Sequence, residues 1–390
     1  MMMADRIPDP LDAALAAAQA QALKDAQARG NGTVVPIRSG VAAVPDGPVC
    51  VGVAEFLAEG DAPVWVVGGI VQSNYLYAIT APTNHGKTAV SLVMALCVAA
   101  GRPFAERPVQ KGRVLILCGE NQDGFRLRML ATMESLGISL ADLRGNMFVL
   151  PQSAGIAYLL EQIKTDVAGM GELTLVLVDT SVSFFSGDNE NDNQQAYDHA
   201  RYLRALSMLP GKPAVVVNCH PSASAGKDHS RESCVPRGGS AFMNEIDTNL
   251  TVWSEGGNAE FHWMAKKRGP DFSPILFEYK ELSIEQHGAK VPTVVAVHID
   301  EDREKEIRMR RKQHENRLLF VMLHNPEGTI REWAYEAGFT IQSGKNQGQA
   351  HVSMTARTLE RLKEYKFAER SKREGWVLTD KGIKEAKEIR

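Results

Sequence analysis

Between residues 51 and 300, short apolar runs alternate with stretches that have helical spacing. The apolar runs are nearly continuous in Val, Ile and Leu, which is typical of strands that are covered on both faces. Such strands predict an α/β fold with a mostly parallel sheet, because a parallel connection needs a crossover that is usually a helix. The predicted strands are 75–80, 114–118, 173–179 and 214–219, with helices at 87–99, 126–136 and 194–209. The later runs, which predict antiparallel strands added to this sheet, are 249–253, 259–265 and 275–279.

The two ends of the chain have different patterns from this central part. Residues 1–49 contain one thin leucine stripe and then a mixture of Gly, Pro and Ser, which predicts a flexible arm. Residues 301–313 alternate charges and predict a helical linker to a small terminal module. The predicted organisation is an arm (1–49), a central domain (50–300), and a linker helix with a terminal domain (301–390).

Composition narrows the class of protein. Of the 390 residues, 44% are hydrophobic and 23% are charged, which is typical of a globular protein. No apolar run approaches the roughly 20 residues that span a bilayer. Residues 1–9 lack a secretory pattern, so we expect a cytoplasmic protein without a membrane partner. Five scattered cysteines without CxxC spacing argue against a disulfide framework and a zinc site.

Charge is unevenly distributed along the chain. Residues 301–390 hold 20 Lys and Arg against 15 Asp and Glu, whereas residues 1–300 hold 24 against 32. A basic module on an acidic body suggests a polyanion as the partner of the module. A surface that is simply solvated is the alternative.

The strongest chemical motif is the segment A-P-T-N-H-G-K-T at residues 81–88, which matches the phosphate-binding pattern G-x-x-x-x-G-K-[ST] except for alanine at the first glycine. A predicted strand precedes it and a predicted helix follows, so backbone N–H groups can surround the phosphates of ATP. Lys87 is expected to reach the β- and γ-phosphates, and Thr88 to bind Mg²⁺. Alanine at position 81 requires that this position has no positive φ. The expected nucleotide contacts are Ala81, Pro82, Thr83, Asn84, His85, Gly86, Lys87, Thr88 and Ala89.

Two carboxylates follow predicted buried strands and complete this site. Asp179 ends the run L-V-L-V-D and is expected beside the phosphate loop, where it can hold a water of the Mg²⁺ shell. Glu120 follows the run V-L-I-L-C-G and is our candidate for the general base. A helix cap or a solvated loop acid is the alternative for Glu120.

The order of these motifs resembles the RecA-like ATPases of the RepA and DnaB hexameric helicase type, which occur in plasmids and phages. The resemblance rests on the phosphate loop, G-E-N at 119–121, L-V-L-V-D-T at 175–180, and V-V-V-N-C-H at 215–220. It implies a RecA-like core, ATP and Mg²⁺ as cofactors, and a homo-oligomeric ring, with the hexamer as the expected size. It also implies that His220 senses the γ-phosphate; a histidine at the edge of the core is the alternative.

The resemblance further implies sites for DNA and for a neighbouring subunit. The long loop 221–237 would face single-stranded DNA in the channel, with Lys227 and Arg231 as phosphate contacts. The other channel-side segment, 186–193, is acidic, which departs from the family pattern. In DnaB-type enzymes a K-x-R sequence enters the neighbour's site, so Lys266 and Arg268 resemble that finger pair. A solvated basic turn is the alternative, and Arg237 is a reserve candidate.

The terminal module has the pattern of a winged helix. Residues 318–323 predict one helix, 325–328 a turn, and T-I-R-E at 329–332 a capping box that opens a second helix. A third helix at 353–365 and a β-wing at 368–379 follow. The candidate contacts with duplex DNA are Arg357, Arg361, Arg370, Lys372 and Arg373. A protein-docking module is the alternative.

Together these patterns favour an ATP-hydrolysing, ring-forming motor that acts on DNA, such as a plasmid or phage replicative helicase. Two other functions remain open at this point. One is a nucleotide-switched replication regulator or helicase loader that binds DNA without translocation, and the other is a recombinase-like filament ATPase.

Overall fold

The computed structural model describes residues 50, 52–54, 63–222, 231, 234–255, 257–286, 288–342, 345–371 and 375–389. The predicted arm, most of the predicted channel loop, and three candidate DNA contacts, Lys227, Lys372 and Arg373, lie outside these residues. The described residues from 63 onwards belong to one compact unit, residues 62–390.

A nine-stranded sheet forms the centre of the described chain. It is preceded by a small hairpin of β1 (Trp65–Val67) and β2 (Val71–Gln72). The first strands of the sheet are β3 (Leu76–Thr80), β4 (Arg113–Cys118), β5 (Met147–Leu150), β6 (Leu173–Asp179) and β7 (Ala214–Cys219). The later strands are β8 (Thr248–Glu255), β9 (Asn258–Trp263), β10 (Ile275–Gln286) and β11 (Ala289–His298).

The spatial order of the strands is β11-β10-β9-β8-β3-β7-β6-β4-β5. The six strands from β8 to β5 in this order are mutually parallel, and β9, β10 and β11 continue the sheet antiparallel. The prediction of an α/β fold with a mostly parallel sheet and an antiparallel extension is therefore confirmed. The carboxyl ends of the parallel strands meet at one edge, which is where open α/β sheets bind ligands.

Helices cover both faces of the sheet, as the near-continuous apolar strands predict. The helices of the central part are α1 (Lys87–Ala100), α2 (Gln122–Leu136), α3 (Leu140–Leu143), α4 (Ile156–Met170), α5 (Asn193–Ala205) and α6 (Gly239–Glu245). Side chains of α1 and α2 share one apolar core, and side chains of α4 and α5 share the other. Successive residues of β6 alternate between these cores, with Leu175 and Leu177 in the first and Val176 and Val178 in the second.

The last part of the chain forms a third apolar core of its own, with Leu318, Trp333, Leu359 and Trp376 at its centre. Its elements are α7 (Glu301–His324), α8 (Ile330–Glu336), α9 (Val352–Glu364), β12 (Ala368–Ser371), β13 (Gly375–Leu378) and α10 (Asp380–Glu388). The capping box of Thr329 and Glu332 is confirmed. The predicted linker helix and the first helix of the module are one continuous helix, α7, rather than two. In the described part of the chain, no helix is both long and apolar enough to cross a bilayer.

Candidate nucleotide-binding site

The phosphate loop connects β3 directly to α1, as predicted. All five residues of β3 are buried, and Gly86 reaches the helix with a φ of 84°, a conformation that glycine adopts without strain. Ala81 is not among the described residues with positive φ, so alanine is tolerated at this position as expected. Lys87 and Thr88 begin the helix and are 7% and 9% exposed. The loop thus presents the amino terminus of a long buried helix to the edge of the sheet.

Later strands of the sheet hold this loop in place. The Tyr279 hydroxyl donates a hydrogen bond to the carbonyl oxygen of His85. Ser254 donates its backbone N–H to His85 Nδ1 at 3.0 Å, and the His85 ring meets the Trp253 ring edge-on at 4.9 Å between centroids. A Cβ atom at Gly86 would lie 1.8 Å from Tyr279 Oη. Gly86 is therefore required by its φ and by its contact with Tyr279.

Thr88 and Asp179 lie together where a magnesium ion is expected. Thr88 Oγ1 donates to Asp179 Oδ1 at 3.1 Å, and Asn218 Nδ2 donates to the same oxygen at 2.8 Å. Burial raises the pKa of Asp179, and the hydrogen bonds from Asn218 and Thr88 act in the opposite direction. The buried Asn218 Oδ1 has no hydrogen-bond partner among the described residues. These hydroxyl, carboxylate and amide oxygens are the hard donors that Mg²⁺ prefers, so the residues fit this ion.

No group of three or more His, Cys, Asp or Glu side chains in the described residues is arranged to hold a metal. Mg²⁺ at nucleotide sites keeps several waters and takes few protein ligands, so it does not need a group of this size.

Strand β7 lies between the phosphate-loop strand and the Asp179 strand, so these two are not immediate neighbours. Its end contributes Asn218 and, directly afterwards, His220. His220 Nδ1 lies 3.5 Å from Lys87 Nζ. Burial lowers the pKa of His220, and the charge of Lys87 lowers it further, so the neutral imidazole can accept a hydrogen bond from the lysine. The structure thus places His220 beside the residue that is expected to bind the γ-phosphate.

Glu120 is an exposed residue that immediately follows the glycine after β4. Its Oε1 accepts a hydrogen bond from Thr180 Oγ1 at 2.9 Å. The cap of α2 is Asn121, whose side chain accepts from the backbone N–H of Gly124 at 3.0 Å. Glu120 is therefore not the cap of this helix, and its role as the general base stays a prediction.

One cavity of about 450 Å³ brings the predicted residues together. Lys87, Thr88, Glu120 and His220 all line it. Burial lowers the pKa of Lys87, and Asp179 and Glu120 oppose this effect. The volume is within the range of pockets that bury small ligands, about 300–1,000 Å³.

Sequence reasoning assigned no role to four further residues of the site: Arg128, Asn218, Tyr279 and Val294. Arg128 projects from α2, and Tyr279 and Val294 come from the antiparallel extension. Only Asn218 had a usable signal, because it is a polar residue within an otherwise apolar strand.

A small cavity of about 30 Å³ is also lined by His220 and includes the buried His199. The His199 Nε2 atom is 2.9 Å from Ser181 Oγ, and its ring packs against Phe185 and Phe242. Burial lowers the pKa of His199 to about 4. The folded protein therefore holds this histidine neutral at pH values where an unfolded chain would protonate it.

This burial predicts a loss of stability in acid. As the pH falls from about 6.5 towards 4, the unfolded chain gains the His199 proton first, so the free energy of unfolding should fall by up to about 3 kcal/mol. His199→Gln, which keeps a group able to bond Ser181 but cannot titrate, should lack this contribution. Urea unfolding of both proteins at pH 7.5 and pH 4.5 measures the difference. Parallel losses in the two proteins would contradict the prediction.

Lys266 and Arg268 lie at the opposite edge of the sheet from the phosphate loop of their own chain. Lys266 Nζ donates to the carbonyl oxygens of Met243 and Asn244, both at 2.8 Å. Arg268 Nη1 lies 2.8 Å from Asp247 Oδ1, and Asp247 is 2% exposed while the Arg268 side chain is 60% exposed. The pair does not contribute to the site of its own chain, so its role as a finger in a neighbouring subunit stays a prediction.

The described DNA candidates have different surroundings. Arg231 forms an ion pair with Glu260 at 2.5 Å, and Arg361 forms one with Glu315 at 3.0 Å, so both charges have intramolecular partners. Arg357 and Arg370 are exposed. The reserve candidate Arg237 pairs with Glu190 at 3.0 Å and donates its backbone N–H to the carbonyl of His220.

The comparison with protein families agrees with this site. Residues 44–224 match the family model of an AAA domain, and this segment includes the phosphate loop, Glu120, Asp179 and His220. The match supports an AAA-type P-loop ATPase in this part of the chain. The search of curated proteins found no match.

Proposed function

We propose that the protein binds ATP with Mg²⁺ and hydrolyses it in the cavity between the phosphate loop, Asp179, Glu120 and His220. The observation that carries the proposal is that the phosphate loop, Glu120 and His220, which lie far apart in sequence, line one cavity of about 450 Å³, and that Asp179 is hydrogen-bonded to Thr88 in its wall. Each group is of a type that phosphoryl transfer uses.

Each residue of the site has a separate role in binding or hydrolysing ATP. Lys87 and the backbone N–H groups of the loop bind the β- and γ-phosphates. Thr88 and Asp179 would hold Mg²⁺, which would supply positive charge to offset that of the phosphates. Glu120 accepts a proton from the attacking water. At the same time the oxygen of this water forms a bond to the γ-phosphorus, and the bond between the γ-phosphorus and the ADP oxygen breaks. His220, beside Lys87, then responds to the loss of the γ-phosphate.

Replacing Glu120 with Gln tests this proposal. The change removes the base and leaves the phosphate loop intact, so ATP binding should persist while turnover falls by about 10² to 10⁴-fold. Binding of a fluorescent ATP analogue and release of phosphate measure the two properties separately. Glu134→Gln is the matched control, because Glu134 is an exposed residue of α2 outside the cavity. Equal loss of binding and turnover in Glu120→Gln would identify a structural acid instead.

We further propose that this ATPase forms a homo-oligomeric ring, with six subunits expected, and acts on DNA as a motor of the replicative helicase type. The terminal part supports a winged helix, since three helices precede the β12–β13 hairpin and the exposed Arg357 and Arg370 could contact duplex phosphates. Single-stranded DNA would occupy the ring channel. Strand displacement on a forked duplex, driven by ATP, tests the motor directly.

One observation favours a second function, a nucleotide-switched regulator or loader that does not translocate. Arg231, the described candidate for contact with DNA in the channel, is paired with Glu260. The segment that includes Glu190 is acidic. The described residues therefore offer few unpaired positive charges to a DNA strand in the channel. ATP-dependent DNA binding without strand displacement would support this function over the motor.

A further inference from the structure

A second cavity, of about 270 Å³, lies between α7 and α9 and has an unusual concentration of cationic groups. It is separate from the nucleotide cavity and shares no lining residue with it. Its polar wall is formed by Arg310, Arg311 and His314 of α7 and by His351, Arg357 and Arg361 near or on α9. No carboxylate is among the described residues that line it.

The positive charge of this cavity is not balanced within the described chain. Arg361 pairs with Glu315, but no ion pair joins Arg310, Arg311 or Arg357 to a described carboxylate. Earlier in the same helix, Arg303 pairs with Glu306 and Arg308 with Glu304. Arg310 and Arg311 differ from these two arginines, because no described carboxylate pairs with them.

Burial lowers the pKa of His314, and the nearby Arg317, Arg361 and Arg310 lower it further, so this imidazole is held neutral and adds no charge to that of the arginines. One further feature does strengthen the positive potential. The amino terminus of α9, a helix of 13 residues, also opens at this cavity, with His351 as its cap. The partial positive charge of a helix amino terminus adds to that of the arginines and favours an anion.

The cavity also has an apolar wall. Ile307 and Met354 line it beside the arginines. Because the volume is near the lower end for small-ligand pockets, about 300 Å³, a single small ligand fits and a duplex does not. A ligand with a charged part and a compact apolar part matches both walls.

We propose that this cavity is a second phosphate-recognition site, which binds one nucleotide through its phosphate group and its base. The nucleotide can be a free mononucleotide or one residue of a nucleic acid strand, since both carry the same chemistry. Arg310, Arg311 and Arg357 hold the phosphate, and Ile307 and Met354 contact the base. The proposal does not depend on hydrolysis at the first site.

The location of the cavity connects it to the phosphate loop. Asn258, at the start of β9, is part of its wall. A neighbouring cavity of about 30 Å³ is lined by Trp253, Asn258, Glu260 and Arg311 among others, and Trp253 packs against His85 of the loop. This small cavity therefore shares Asn258 and Arg311 with the larger one and Trp253 with the surroundings of the phosphate loop.

The test uses the full-length Lys87→Ala protein, in which binding of phosphate at the first site is weakened. Calorimetry measures binding of thymidine monophosphate, a 5′-phosphorylated thymidine tetranucleotide, the same tetranucleotide without its terminal phosphate, and inorganic phosphate. Adding Arg310→Ala, Arg311→Ala or Arg357→Ala should each weaken the binding roughly tenfold, the effect of one charge-assisted hydrogen bond. Lys312→Ala, the matched control on α7 outside the cavity, should change nothing.

The four probes distinguish a free nucleotide from a nucleotide within a nucleic acid strand as the ligand. Tight binding of the monophosphate assigns the site to free nucleotides, and tight binding of the tetranucleotides alone assigns it to nucleic acid. Inorganic phosphate binding as tightly as the monophosphate would overturn the role of the base. No binding of any probe at millimolar concentration, or equal effects of Lys312→Ala and the three arginine variants, would overturn the site. Because Arg310 and Arg357 are exposed and lie on different elements, thermal unfolding should show both variants folded.

Discussion

Lys87→Ala is expected to slow ATP hydrolysis and to weaken ATP binding. Lys87 is 7% exposed, and Asp179 and Glu120 are the carboxylates that act on its charge. Without this cation, both carboxylates would repel the β- and γ-phosphates. The loss of a fixed group that stabilises transition-state charge costs about 10² to 10³-fold in rate, and ATP affinity should fall by roughly tenfold or more. Phosphate release and analogue binding measure the two effects.

The control for Lys87→Ala is Lys111→Ala, which removes an exposed lysine outside the cavity. Thermal unfolding shows whether the variant remains folded, since β3 and α1 are central to the core. Near-normal turnover in a folded Lys87→Ala protein would mean that the cavity is not the hydrolytic site.

Arg268→Ala tests the shared site between subunits and should have the larger effect on rate. If Arg268 enters a neighbouring subunit's site, the variant should bind ATP normally and lose about 10³ to 10⁵-fold in turnover. Mixing it with Lys87→Ala should restore activity, because some interfaces then combine an intact Lys87 with an intact Arg268. Phosphate release from titrated mixtures measures the rescue.

Arg204→Ala is the control that this experiment needs. Arg204 and Arg268 both pair with the buried Asp247, at 3.1 and 2.8 Å. Removing either one disturbs the same carboxylate, but only Arg268 is a finger candidate. Equal losses of activity in the two variants, without rescue in mixtures, would assign Arg268 to the stability of its own chain.

The parts of the fold that depend on local pattern could be predicted from the sequence. The strand, loop and helix around Lys87 follow from an apolar run, a glycine that permits positive φ, and a helix-forming segment. Glu120 and Asp179 could be placed at the same edge because parallel strands end together. To apply this rule, it is enough to know that the sheet is parallel; the order of its strands is not required.

The remaining features depend on contacts between distant segments, which no local pattern encodes. Strand β7 lies between β3, which precedes the phosphate loop, and β6, which ends at Asp179. This strand order is a property of the whole sheet, and it brings Asn218 and His220 to the site. The pairing of Arg231 with Glu260 joins a loop to a later strand, so a sequence of basic residues could not show that this charge is occupied. Tyr279 reaches the loop from almost two hundred positions later in the chain.

The pairing of β8 with β3 determines which truncated fragments of this protein can fold. The segment that matches the AAA domain ends at residue 224, before β8 begins at Thr248. A fragment that stops there would leave β3, whose five residues are all buried, as an exposed edge strand that is prone to aggregate. It would also lose Trp253 and Tyr279, which hold His85. The smallest fragment suitable for expression as an ATPase therefore extends through β11, to His298.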